Sequence, residues 1–565
     1  MHQDYRGFMS HRTFGPRQPW RWLCITVLLA VTAYIPHALA APADWHYRVR
    51  PGDNLWDLAA RYLKPDVSWQ KLQDYNQVAD PLHLPPGSTM QFPVGWLRQG
   101  PAPATVIAVL GNATAQPTGN APAIPVTTGM SVGYGTELDT AADTSLTLQL
   151  ADGSRVLLQA NSALVLDRLS AYGRTGMVDT RMRLKRGRVN SDVTPLSGSA
   201  ARFTVSTPNT ISSVRGTHFR VAADDSDGSA RTEVVGGHVD VGNDARHVMV
   251  NGGRGVATAA GAKPGQPQAL LPAPSIDCPA QPLTQSPAQI QWKPLDRAAH
   301  YRVQVAPTDR FEALVLDTVV DGTQATLPAL PDGPHAFRVR GIDGERMEGL
   351  DTTCAFTIAA HPQPPLIIEP QPNAKVRGTR PEFRWTESVE AESYAWQLSG
   401  SADFGQLLAS NDKVRGSDVR APQALPYGHY VWRIASRDKD GKLGPYTSAM
   451  PFDLVPEPPA PEPGAPQHQH GDFVLSWPEG TPGQHYHVQL ARKADFSDVA
   501  VDETVDKPEI SLRKLAHGKW YARVQTIDTD GYTGPWGAVQ RTRVPCSACR
   551  WLTAGGGVVL LYLIL

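Results

Sequence analysis

Cysteine is scarce in this chain. Five cysteines among 565 residues exclude a disulfide-dense scaffold. Net charge is nearly absent as well. The 53 basic residues stand against 54 acidic ones, which excludes a nucleic-acid binder that works by bulk positive charge. Between the two ends no apolar run reaches the ~20 residues that a membrane-spanning helix needs, so this is not a polytopic membrane protein. The motifs HExxH, GxSxG, a Walker loop, paired CxxC and a strand-linked GxGxxG are all missing. The sequence therefore predicts no catalytic site, no metal and no cofactor.

What is present is turn chemistry and core-forming residues. Gly 49 and Pro 50 exceed the usual share of globular chains, which suits many turns and linkers. Hydrophobics at 41% and aromatics at 8% suffice for packed cores and exclude wholesale disorder. The length predicts roughly three to six domains at about 100–200 residues each.

Residues 1–21 carry Arg6, Arg12, Arg17 and Arg21 against Asp4. An apolar run over 23–35 follows and exits through Pro36-His37-Ala38-Leu39-Ala40. A basic lead, a short apolar core and an Ala-x-Ala exit make a signal peptide over 1–40; an uncleaved anchor is the other reading. The four cysteines beyond it suit an oxidising compartment. Cys278 and Cys354 flank one predicted sandwich and are expected to bridge. Cys546 and Cys549 form a lone CxxC, read as a short bridge or free thiols.

In 45–97, Tyr47-Arg48-Val49 alternates like a strand and Pro51-Gly52 breaks it. Asp53 or Asn54 can cap a helix carrying Leu55, Leu58, Ala59 and Tyr62 at i, i+3, i+4, i+7. A second helix starts near Ser68 and holds Trp69, Leu72 and Tyr75; a strand over 89–93 follows. The order is βααβ. The pattern Y-x-V-x-x-G-D-x-L-W, then W-x-x-L-x-x-x-N, then P-x-x-L-x-P-G with a closing F-P resembles the LysM domain. That resemblance implies binding of N-acetylglucosamine-containing glycan, peptidoglycan in bacteria. It places the groove at Gly52, Asp53, Asn54 and Leu55 and at Ala79, Asp80, Pro81 and Leu82. Asn54 departs from the family's usual Thr or Ser. Capping is the alternative role of Asp53 and Asn54. Trp56 and Trp69 are read as core residues rather than sugar platforms.

Residues 103–270 read as strands. Ser145 to Leu150 alternates, turns at Asp152-Gly153 and returns through Arg155-Val156-Leu157-Leu158, a hairpin signal. Further strand pieces are expected at 163–169, 180–189, 202–206, 217–222, 231–235 and 237–242. The runs Leu150-Ala151-Asp152-Gly153-Ser154, Thr207-Pro208 and Val214-Arg215-Gly216-Thr217-His218-Phe219 resemble the FecR domain. Leu184-Lys185-Arg186-Gly187-Arg188-Val189 and Val234-Val235-Gly236-Gly237-His238 belong to the same pattern. The best-known members relay a ferric-siderophore signal to a sigma factor through a cytoplasmic helical segment. The 21 residues before the apolar run are too few for one, so the resemblance implies the periplasmic fold alone. Arg181, Arg183 and Lys185 share a strand face, either a site for an acidic partner or a solvated face. Arg215 is expected to act inside the sheet.

A repeat fills 275–545. Trp292, Trp385 and Trp477 recur at near-equal spacing. Tyr301, Tyr394 and Tyr486 follow each of them, then Phe311, Phe404 and Phe496, and later Arg338, Arg433 and Arg523. Alternation about these positions predicts β-sandwiches over 275–360, 364–456 and 466–545. They resemble fibronectin type III or related immunoglobulin-like domains. Asp438-Lys439-Asp440-Gly441 and Asp528-Thr529-Asp530-Gly531 are read as hairpin turns rather than calcium loops. Pro364-Pro365 and the Pro-rich 455–466 are expected to hold modules apart. The tail 546–565 ends in an uncharged apolar stretch from Trp551. At about 1.5 Å per residue it falls short of a ~30 Å hydrocarbon core, so it is read as membrane-associated, docking or loose.

The expected whole is mainly β and multidomain. It is a non-catalytic protein exported to the periplasm or cell envelope of a Gram-negative bacterium. Peptidoglycan and an unidentified envelope protein are its expected partners. A periplasmic sensor of FecR type is the second reading, and a cell-wall hydrolase the third.

Overall fold

A computed structural model of the chain describes residues 44–119, 121–469 and 472–544. The expected signal peptide, Cys546, Cys549 and the apolar tail lie outside the described residues. Contacts group the chain into two units. The fold is mainly β and multidomain, and its two α-helices, among the described residues, both lie in the first unit.

The first unit is built on β1 (Asp44–Arg48), α1 (Leu55–Tyr62), α2 (Trp69–Asn76) and β2 (Thr89–Pro93). β1 and β2 pair antiparallel, with Tyr47 opposite Met90. α1 buries Leu55, Leu58, Ala59 and Tyr62, the face its periodicity predicts. α2 buries Leu72 and ends at Gln77 in the left-handed conformation, φ 52°. The core does not close with these elements alone. The unit also takes in residues 169–180 and 195–203, and Met177, Ala200 and Ala201 lie buried in the same apolar cluster as Tyr47, Leu58 and Phe92. The contact grouping thus takes in these two segments beside the expected 45–97 module.

The second unit opens with the β-rich domain. The hairpin 145–158 forms as expected, Leu148 facing Val156 and Gly153 holding φ +85° in its turn. Its second strand pairs onto Val178–Asp192, which pairs onto His218–Ala223 and thence Ala230–Gly236. A second set of strands pairs Ile211–Val214 with His238–Asn243, and the latter with Arg246–Asn251.

Three sandwiches follow. In each, the repeated Trp lies in the core, Trp292 and Trp477 at 5% exposure and Trp385 at 1%. Tyr301, Tyr394 and Tyr486 pack on them at 5.4, 5.5 and 5.2 Å between ring centroids. Each tyrosine hydroxyl accepts a backbone N–H six residues earlier, at Leu295, Ser388 and Gly480. A buried polar atom is thereby satisfied in every copy. On the other face, the repeated arginines lie over Phe311, Phe404 and Phe496 at 4.3, 4.0 and 4.1 Å. Their Nε atoms donate to Gln304, Gln397 and Gln489 at 2.6, 2.8 and 2.9 Å. Cys278 and Cys354 are bonded, their Cα atoms 5.6 Å apart.

The linkers do not hold the sandwiches apart. Pro362, Pro365, Pro458, Pro461 and Pro463 are buried, and each linker runs along the module that follows it. Ser436 Oγ donates to the Gln363 carbonyl at 2.6 Å, and Leu350 N–H to that of Leu271 at 2.9 Å. The approach needs glycine. A Cβ on Gly349 would lie 2.7 Å from the Leu271 oxygen, and one on Gly444 would overlap that of Pro362. The turn of each sandwich also pairs with the preceding module. Arg346 meets Asp224 and Asp227, Lys442 meets Asp332 at 2.5 Å, and Asp528 takes Arg377 at 2.6 Å. Prolines that expose no N–H are well suited to lie flat on such an edge.

The first sandwich docks on the β-rich domain through its sheet face. At one end Leu157 clusters with Phe311 and Leu314. There Thr147 Oγ1 donates to the Glu312 carbonyl at 2.7 Å, Arg155 to the Glu312 carboxylate at 2.9 Å, and Leu314 N–H to Ser145 Oγ at 2.9 Å. At the other end a buried ion network joins Arg188, Arg220 and Glu233 to Arg302, Arg340, Glu348 and Asp351. Arg188 meets both Glu233 and Glu348 at 3.2 Å, Arg220 meets Glu233 at 3.2 Å, and Arg302 meets Glu348 at 2.7 Å. Arg340 pairs with Glu348 and with Asp351. Arg340 and Glu348 are at most 1% exposed. Ions this deep hold only when every partner is present.

Candidate glycan-binding site

The site residues lie on the two loops of the first unit that follow β1 and α2. The first loop is fixed from within. Gly52 turns at φ +87° with open space where a Cβ would stand. Asp53 Oδ2 accepts from Tyr47 Oη at 2.7 Å and Arg50 N–H at 2.8 Å. Burial, then this hydrogen bond to Asp53, pushes the Tyr47 hydroxyl up to about 12. Asn54 is the N-cap of α1. Its Oδ1 accepts from Asp57 N–H at 2.9 Å and its Nδ2 donates to Asp57 at 2.8 Å. Cap and turn are therefore the observed contacts of Asp53 and Asn54. Leu55 is fully buried, so its side chain is out of a ligand's reach.

The second loop is turned by Asp80, whose Oδ1 accepts Leu82 N–H at 2.9 Å while Oδ2 lies 3.0 Å from His83 Nδ1. The Leu82 amide, then His83, hold the Asp80 carboxyl below its ordinary range. Ala79 and Asp80 are exposed, Pro81 is half-buried and Leu82 is 59% exposed. One backbone bond clamps the loops together, Leu55 N–H donating to the Pro81 carbonyl at 2.9 Å. Seven of the eight residues thus lie on one surface strip, with Leu55 buried beneath it. It offers Gly52 for close backbone approach, carboxyl and amide edges, and Leu82 as an apolar flank, the mix that small polar ligands with one apolar face require.

Two departures from expectation adjoin it. Trp56 is 36% exposed and meets half-buried Trp69 with ring centroids 4.4 Å apart and planes tilted by 43°. Trp69 packs against the core as expected, whereas Trp56 turns outward, because i+1 from buried Leu55 points away from the core. Asn76, at the end of the W-x-x-L-x-x-x-N pattern, ties α2 to β2. Its side chain accepts Gln91 N–H at 2.7 Å and donates to the Gln91 carbonyl at 2.8 Å. This role was legible only as a motif letter.

On the basic strand face in the β-rich domain, Arg183 and Lys185 are paired from within, as is the adjacent Arg186. Arg183 pairs with Asp167 at 2.8 Å, Lys185 with Glu137 at 2.6 Å and Arg186 with Asp139 at 2.5 Å. Those acids come from neighbouring strands that no local pattern announces. Arg215 is exposed, not inside the sheet; the buried arginines of this domain are Arg220 and Arg231. Asp438 accepts the amides of Asp440 and Lys442, so it closes a turn, as read from the sequence. Among the described residues no group of acids, histidines and cysteines could hold a metal ion.

A LysM domain profile matches residues 47–93, and a FecR protein profile matches residues 136–240. No curated protein matches the chain. Among solved structures, a candidate anti-sigma factor from Parabacteroides distasonis ATCC 8503 matches at 17% identity and TM-score 0.20, over 24% of this chain. The chain spans 59% of the length of that protein. The FN1–FN3 domains of chicken CNTN1 match at 12% identity and TM-score 0.25, covering 49% of this chain and all of theirs. The fibronectin(III)-like modules of Clostridium thermocellum CbhA match at 12% and 0.23, over 32% of this chain and 92% of theirs. The chain thus carries a LysM module and, after it, a FecR domain, ahead of three β-sandwich repeats.

Proposed function

We propose that this protein is a non-catalytic component of the bacterial cell envelope. Its LysM module holds it to peptidoglycan through the strip of Gly52, Asp53, Asn54, Ala79, Asp80, Pro81 and Leu82, with Leu55 beneath. Its FecR domain and sandwiches form a scaffold that meets a protein partner. The observation that carries the glycan part is the clamp from Leu55 to Pro81, which joins two sequence-distant loops into one exposed surface beside Trp56. An N-acetyl group suits such a strip, since its amide can meet backbone edges while the sugar face covers Leu82. The exported location follows from the basic lead and Ala-x-Ala exit of residues 1–40. The test is co-sedimentation of the exported protein with purified sacculi. We expect it in the pellet and released by soluble N-acetylglucosamine oligomers; protein left in the supernatant would overturn the proposal.

A further inference from the structure

The repeated arginine has a different setting in the first sandwich. Arg433 lies between two rings, Phe404 at 4.0 Å and Tyr446 at 4.3 Å. Arg523 does the same between Phe496 and Trp536, both at 4.1 Å. Both arginines stay half-buried, within reach of water. Arg338 keeps the first ring, Phe311, and the bond from Nε to Gln304 at 2.6 Å. Equal spacing puts Asp351 where Tyr446 and Trp536 stand, but that acid is taken by Arg340 at 2.7 Å and by Arg220 at 3.5 Å. Arg338 is 9% exposed. Among the described residues the bond to Gln304 is the only hydrogen bond of its side chain, and Nη2 is buried with no partner. Burial, then the like charge of Arg340, pushes the guanidinium down to about 10. A charge this deep with no counter-ion is strongly destabilising.

The space beside it suits the missing anion. Arg338 lines a cavity of about 230 Å³ between the first sandwich and the FecR domain, ample against the ~30 Å³ share of one water molecule. The FecR side supplies Asn190, 8% exposed. Its Oδ1 accepts from Gln159 Nε2 at 3.0 Å, which leaves its own amide N–H groups without a partner among the described residues. Leu157, clustered with Phe311, adds an apolar wall. The acids of the cavity do not serve Arg338. Asp192 and Glu312 both meet Arg155, at 3.5 and 2.9 Å, and Asp309 stands exposed next to exposed Arg310. Burial holds the His218 ring below its ordinary range, so it adds no charge at neutral pH.

We propose that this cavity binds a small carboxylate. The fork of Arg338 takes the carboxylate oxygens, the Asn190 amide donates to one of them, and a short aliphatic tail lies against Leu157. This site goes beyond the function proposed above and is independent of it.

Isothermal titration calorimetry of the full-length exported protein with sodium propionate tests it, with ionic strength matched by sodium chloride. Sodium phosphate is the second titrant. We expect saturable propionate binding, weakened at least about tenfold in Arg338→Gln, and no saturable phosphate binding. Arg433→Gln removes the arginine with the same ring and glutamine contacts in the second sandwich, and should leave propionate binding unchanged. If Arg338→Gln does not fold, Asn190→Asp keeps the acceptor for Gln159 but sets a negative charge against the ligand, and should lose binding as well. Phosphate bound as tightly as propionate would overturn the carboxylate assignment. So would no saturation by propionate, or equal binding in R338Q or N190D; the cavity would then only hold water around Arg338. Sedimentation with sacculi should be the same for wild type and R338Q, which separates this site from the glycan strip.

Discussion

Asp53 shows how one carboxylate can set a loop. It joins Tyr47 Oη to Arg50 N–H, so Asp53→Ala leaves the part-buried hydroxyl of Tyr47 without this acceptor. The expected loss is about 1–2 kcal/mol, read from chemical denaturation, and Tyr47→Phe should lose a similar amount. Glu348 stands at the opposite extreme. Four arginines surround it, and Glu348→Gln leaves their charges facing only Glu233, Asp317 and Asp351, one positive charge in excess, at an expected cost of about 3–5 kcal/mol. The same residues fix a pH response. Burial raises the carboxyls of Glu348 and Asp351, but the arginines outweigh it. Glu348 is held well below its ordinary range and Asp351 at about 2. Their stabilisation is complete above the ~4 at which unfolded carboxyls titrate, is lost progressively as pH falls below that, and for Asp351 is gone once pH has fallen through about 2. Hydrogen exchange, corrected for the intrinsic rate at each pH, should find the strand Gly333–Ile342 as protected at pH 5.5 as at pH 7 and progressively less protected below about pH 4; protection unchanged down to pH 2 would contradict this. The seam arginines carried a signal in the sequence. Arg302 and Arg340 stand where the second copy has Ala395 and Ala435, a difference invisible when the repeat is read for what its copies share.

Among the elements, strands and helices were legible where one face is buried. Leu55, Leu58, Ala59 and Tyr62 announce α1, and Tyr394, Trp396 and Leu398 announce a core strand, because period and burial coincide. The linkers were not legible. Proline was read as a spacer, yet a Pro-rich segment also lies flat against a sheet edge when the edge supplies glycine. Gly444 is that position in the second sandwich, and its partner is the Pro362 carbonyl. Gly444→Ala should push the linker off and open residues 361–365 to proteolysis, with the sandwich core intact by tryptophan fluorescence. An unchanged cleavage pattern would show that the linker is not seated there. The basic strand 181–188 teaches the converse. Its acids lie on strands up to 48 residues away, so its net potential could not be read from its own sequence.

For the whole molecule, the order of modules was readable because each has a repeated or family pattern. The contacts that cross between modules were not, since Met177 or Glu348 looks like any other residue of its own strand. The site was half legible. Its two loops were placed by motif, whereas the clamp between them and the outward turn of Trp56 needed coordinates. The central claim is that this clamped strip reads N-acetylglucosamine. Backbone amide NMR of the exported protein titrated with N-acetylglucosamine oligomers tests it most directly. The account predicts saturable shifts confined to residues 52–56 and 79–82, lost when Pro81→Gly loosens the clamp. Shifts centred elsewhere, or none at millimolar oligomer, would contradict it.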